Sequence, residues 1–108
     1  MQTTRTLADA LIEAKTAALA KVEKMEDGGT CNFDSCVLFD SEGADVELAL
    51  QYAGLTGYHR TGKKDIWAGW FIHAPRGAQG CVNTAQAEAI HKILKDKGFK
   101  VGMYYQMD

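Results

Sequence analysis

The chain has 108 residues, 46% hydrophobic and 24% charged, which is enough for one compact domain with its own core and too little for two. A formal net charge of −2 argues against binding nucleic acid over the whole surface, and three cysteines, an odd count, argue against a disulfide framework. The opening MQTTRTLADALIEAK has acids in its first turns and no long apolar run, unlike a signal peptide or a membrane span. We therefore expect a single domain over 1–108, working in the cytoplasm of its cell.

In chain order, Thr6 followed by Asp9 resembles a capping box, and Leu7, Leu11, Ala14, Ala18, Val22 and Met25 recur at helical spacing. The pattern predicts an amphipathic helix over 6–26, stopped at Gly28 and Gly29. The following GGTCNFDSC reads as a helix stop, then a turn held by Asn32 and Asp34, then the approach to a strand. Cys36 to Phe39 form an apolar run between Asp34 and Asp40, as in a strand covered on both faces. Val46, Ala49, Leu50 and Ala53 before Gly54 predict a short helix, with acids at Glu42, Asp45 and Glu47 around its N-terminus.

TGYHR and KDIWAGWFIH around TGKK predict a hairpin of strands near 56–60 and 65–73. Alternation puts Trp67, Gly69, Phe71 and His73 on one face, and Ile66, Ala68, Trp70 and Ile72 on the other. APRGAQGCV, 74–82, lacks periodicity and reads as the longest loop. Asn83 with Gln86 forms a plausible capping box for a helix lined by Ala87, Ile90, Ile93 and Leu94 and ended at Gly98. Val101, Met103, Tyr105 and Met107 alternate with Gly102, Tyr104 and Gln106 in a last strand. The expected fold is α+β in the order α-β-α-β-β-α-β, with two main helices and a short one on one face of a mixed four-stranded sheet.

No catalytic set is assembled in this sequence. Cys31, Cys36, Cys81, His73 and His91 are zinc-type ligands, but no Cys-x-x-Cys occurs and Cys36 lies in an apolar run, so neither a metal nor another cofactor is expected. Cys31, in a polar turn, and Cys81, just before a helix, are the residues a thiol-dependent enzyme would use. The loop RGAQGCVNT has the chemistry of an anion site: Arg76, glycines Gly77 and Gly80, the side chains of Gln79 and Asn83, and a helix N-terminus. The competing reading is a connector shaped by its glycines. Tyr58, Trp67, Trp70, Tyr104 and Tyr105 lie on predicted strands, where they either fill the core or offer an interface or stacking surface. His59, Arg60, Lys63 and Lys64 make a basic spot at the hairpin tip. Charge is also uneven along the chain: 1–54 holds four Lys/Arg against ten Asp/Glu, and 55–108 holds eight against four.

Gly29-Thr30-Cys31-Asn32-Phe33-Asp34, Gly77-Ala78-Gln79-Gly80 and the ending Met103-Tyr104-Tyr105-Gln106-Met107-Asp108 resemble small accessory proteins of bacterial phages and mobile elements. That resemblance implies an anti-defence inhibitor, of the anti-CRISPR type among others, which binds a host effector protein or sequesters a nucleotide signal. It agrees with the residues, which offer binding features and no catalytic set. The expectation is a non-enzymatic binding protein, homodimeric, in the cytoplasm of a bacterial host. The partner is a host protein or a small anionic ligand. The alternatives are a thiol enzyme using Cys31 or Cys81, and a single-stranded nucleic-acid-binding module with the basic hairpin and the aromatics on one surface.

Overall fold

A computed structural model describes residues 3–26, 34–40, 43–61, 68–77 and 80–105. The expected order holds: α1 (Thr4–Val22), β1 (Ser35–Asp40), α2 (Val46–Ala53), β2 (Gly57–Arg60), β3 (Gly69–Ile72), α3 (Gly80–Asp96) and β4 (Lys100–Tyr104). The class is α+β, with the helices on one side of a four-stranded sheet ordered β2-β3-β1-β4.

Every adjacent strand pair is antiparallel, where the sequence reading expects a mixed sheet. The physical reason is the placement of the crossovers. β1 runs parallel to β2, to which α2 connects it, but β3 is inserted between them; β3 runs parallel to β4, but β1 is inserted between those two. Residues 35–104 thus form a split βαβ plait of the ferredoxin-like kind, to which α1 is added. α1 packs against both α2 and α3. Its buried stripe of Leu7, Ala10, Leu11, Ala14, Ala18 and Val22 is rich in alanine, which lets neighbouring helices approach closely.

Two helix starts differ from expectation. The cap of α1 is Thr3, whose Oγ1 accepts from the Thr6 N–H at 3.0 Å, so Thr6 is already inside the helix. α3 begins at Gly80, so Asn83 and Gln86 lie within it and their side chains serve tertiary contacts. α2 has Asp45 as N-cap, accepting from Leu48 N–H at 3.1 Å, and ends at Gly54, as the sequence indicates.

Strand alternation divides the chain's apolar groups between two faces. Cys36, Leu38, Trp70, Ile72, Val101 and Met103 belong to the core under the helices, together with Leu7, Leu11, Leu50, Ile90 and Leu94. Burying a side chain of leucine size contributes roughly 1.5–3 kcal/mol, so this set is the main source of stability. Among the described residues no buried side-chain nitrogen or oxygen is without a hydrogen bond. The charge asymmetry along the sequence is partly offset in space: Lys97 Nζ of α3 lies 2.6 Å from Glu13 Oε2 of α1. That pair is exposed and adds little to stability.

Candidate binding face of the sheet

The face of the sheet away from the helices presents the alternate residues: Tyr58 and Arg60 from β2, Gly69 and Phe71 from β3, Val37 from β1, and Gly102 and Tyr104 from β4. Register aligns Tyr58 with Phe71 and Phe71 with Val37. The rings form a row. Tyr58 stacks on Phe71 with centroids 5.2 Å apart, and Tyr104 meets the Phe71 ring edge-on at 5.4 Å. Phe71 is fully covered and Tyr58 is 43% exposed. Aromatic pairs in these geometries add about 0.5–1.5 kcal/mol beyond the area they bury.

Arg60 lies over this row, its Cζ 4.9 Å from the Phe71 centroid and 5.8 Å from that of Tyr104. Both distances are within cation–π range. Arg60 has no ion pair among the described residues. His73, at the end of β3, lies 5.5 Å from Tyr58 and shares a 2.9 Å hydrogen bond between its Nδ1 and Thr56 Oγ1.

The structure thus brings Tyr58 and Tyr104 to one surface and separates Trp70 from them. Trp70 is half-buried on the helix side, where it packs against the core and lies 5.5 Å from His59. It also lines a groove beside β2 and α2 with Leu50, Thr56 and Gly57. Tyr105 lies just past β4, exposed, donating to Glu88 Oε2 at 3.3 Å. Trp67, Lys63 and Lys64 lie outside the described residues. The sequence pattern alone does not single out Phe71 or the ring contact of Arg60. Alternation already places Phe71 and His73 together, but which strand lies beside β3 is a tertiary fact.

The residues read as an anion site are differently occupied. Arg76 Nη1 donates to Val22 O at 2.8 Å and Met25 O at 3.4 Å, at the C-terminal end of α1. Asn83 Nδ2 donates to Asp34 O at 3.2 Å, and Thr84 Oγ1 donates to Asp34 Oδ2 at 2.7 Å. Gly77 is exposed and Gly80 opens α3, while Gln79 lies outside the described residues. Arg76 and Asn83 therefore serve as ties to α1 and to the start of β1.

The thiols separate by burial. Cys36 is buried, and loss of hydration pushes its thiol up to about 12. It is therefore protonated and unreactive near neutral pH. Cys81 is exposed, and Cys31 lies outside the described residues. No group of three His, Cys, Asp or Glu among the described residues is placed to hold a metal ion. A thiol reagent near neutral pH is expected to label Cys81 quickly and Cys36 only on unfolding; fast labelling of Cys36 in the native state would contradict its place in the core. Because the folded state keeps the Cys36 proton longer than the unfolded chain, stability falls as pH rises from 9 toward 12. The slope is at most about 1.4 kcal/mol per pH unit, and Cys36→Ala should remove this part of it in urea titrations.

Comparison with protein-family models, with curated proteins and with solved structures finds no match to this chain.

Proposed function

We propose that this chain is a non-enzymatic binding protein whose working surface is the aromatic face of the sheet. On this reading it acts inside a bacterial cell as a phage or mobile-element inhibitor of host defence, engaging an effector protein or a nucleotide-like anionic ligand. The observation that supports the reading is the row Tyr58, Phe71, Tyr104 with Arg60 laid across it. Rings and guanidinium groups packed on one another are the side chains that dominate recognition energetics, because they bring large contact area at small conformational cost.

Self-association is a second part of the same proposal, and it is favoured by a separate feature. Between α1 and α2 lies a largely apolar groove of about 430 Å³ lined by Ala8, Ile12, Leu48 and Tyr52 together with Thr4, Arg5 and Asp9. Tyr52 is 71% exposed there.

The test is capture from bacterial lysate on the immobilised protein, compared with the Tyr58→Ala/Tyr104→Ala variant at matched thermal stability. A specific protein or small molecule retained by the first and lost by the second is the expected result. Equal retention by both would remove the sheet face from the function. Native mass spectrometry of the same preparation is expected to show a dimer, and a monomer at micromolar concentration would remove the self-association.

A further inference from the structure

We infer that the free edge of β2 takes up an extended peptide segment of a partner protein as an added strand, with an apolar and a basic side chain of that segment lodged between β2 and α2. This site is separate from the aromatic face, since strand positions 57 and 59 belong to the other side of the sheet. Three observations lead to it.

The first is the backbone of β2, an outer strand in the order β2-β3-β1-β4. His73 N–H donates to Thr56 O at 2.9 Å, and the same register continues through Tyr58↔Phe71 and Arg60↔Gly69. Hydrogen-bonded and non-bonded pairs alternate along an antiparallel ladder, so Gly57 and His59 turn their N–H and C=O groups outward. Among the described residues no hydrogen bond reaches those outer groups. They repeat about every 7 Å, the spacing of alternate residues in an incoming strand. β2 pairs with β3 in unbroken register and contains no proline, so it lacks two of the devices that blunt an edge.

The second is the groove of about 300 Å³ between this strand and α2. Glu47, Leu50 and Gln51 of α2 line one side, residues 55–59 the other, and Trp70 of β3 completes it. Gly57 carries no side chain there, His59 is exposed and Trp70 is half-buried. The side chain of an added strand beside Gly57 therefore meets the helix at Leu50 and Gln51 and the ring of Trp70. Outward main-chain groups and an adjoining groove are the two parts of strand addition: the first supply affinity, and the second selects alternate side chains.

The third is charge. Glu47 lines the groove, is exposed and has no ion pair among the described residues, so a Lys or Arg on the added strand complements it. A second copy of β2 lacks this combination. The residues through which it could bond are again Gly57 and His59, with no apolar side chain for the groove and no Lys or Arg beside Glu47, while its Arg60 falls on the opposite side. The occupant is therefore a segment of another protein, with a Val, Ile or Leu and a Lys or Arg on the same side of its strand.

The probe is a displayed library of random ten-residue peptides selected on the immobilised protein, with the recovered sequences remade as labelled peptides and titrated by fluorescence polarisation. They are expected to carry a basic residue two or four positions from a Val, Ile or Leu. Methylating one backbone nitrogen at a time should weaken binding by about 5- to 100-fold at every second residue and hardly at all between, since only alternate N–H groups of an added strand face its neighbour. His59→Pro removes an outward N–H and no β2–β3 bond, and should weaken binding over the same range. Glu47→Lys should weaken the basic peptides at least about twofold. Tyr104→Ala, on the aromatic face, should leave their affinity unchanged.

Failure of any sequence to enrich overturns the inference, as does a methylation scan without alternation or affinity indifferent to both His59→Pro and Glu47→Lys. Binding lost in Tyr104→Ala and kept in His59→Pro also overturns it, in favour of the aromatic face. If amide exchange at Gly57 and His59 of the free protein slows as its concentration rises, a second copy covers the edge and the inference falls.

Discussion

Gly69→Ala is expected to destabilise the domain by about 2–5 kcal/mol, a large part of the total stability of a protein this size. Gly69 opens β3 with φ +143°, a backbone conformation that side chains rarely adopt, and a Cβ built there would lie 2.6 Å from Leu38 O and 3.0 Å from Val37 Cγ1. The first contact is with backbone of the neighbouring central strand, so no flexible side-chain end can move aside. Relief requires β3 to shift relative to β1, and that would disturb the pairing of Leu38 with Trp70 and of Val37 with Phe71. Gly77→Ala is the control: its Cβ would meet nothing within 4 Å, and its effect should stay within about 0.5 kcal/mol. Urea denaturation of the two variants measures the contrast. An unchanged midpoint for Gly69→Ala would mean that β3 is not held against β1 as described.

The same glycine shows where sequence reasoning reaches and where it stops. Its position in an alternating strand is visible from Trp67 to His73, as are the assignment of Phe71 and Trp70 to opposite faces and the end of α2 at Gly54, because side-chain period and glycine stops are local properties. The need for glycine at 69 comes from Leu38, which is brought beside it only by the β2-β3-β1-β4 order. Arg60 illustrates the same limit: in sequence it belongs to a polar hairpin tip, and in space it covers two rings, one of them from β4. Two helix starts lie earlier in the chain than the sequence pattern indicates, for a related reason. Thr6 with Asp9, and Asn83 with Gln86, match a short capping pattern that polar residues inside a helix also satisfy, and only the tertiary partners of Asn83 and Gln86 reveal their role.

Gln86 leads to the second large effect. It is the one polar side chain of the described residues that is fully buried, and it pairs reciprocally with the backbone of Arg76: Oε1 accepts from Arg76 N–H at 2.8 Å and Nε2 donates to Arg76 O at 2.9 Å. The amide thus completes one residue's worth of backbone pairing for a loop outside the strands. Gln86→Leu keeps the volume but leaves a part-buried N–H and C=O without partners, which is expected to cost about 2–4 kcal/mol. Arg76→Ala should cost less, about 1–3 kcal/mol, through loss of the charged donor at the last carbonyls of α1. The two losses should not add. Once Gln86 no longer fixes the Arg76 backbone, the guanidinium loses its aim at Val22 O, so Arg76→Ala in the Gln86→Leu background should cost less than it does alone. Urea denaturation of the four proteins gives this cycle directly, and simple additivity would show that the loop is positioned without Gln86. Inorganic phosphate titrated into wild type and Arg76→Ala separates the structural role from an anion site at 76–83. Equal weak response in both, together with a lowered midpoint for the variant, is the outcome expected of a side chain that ties the loop to α1.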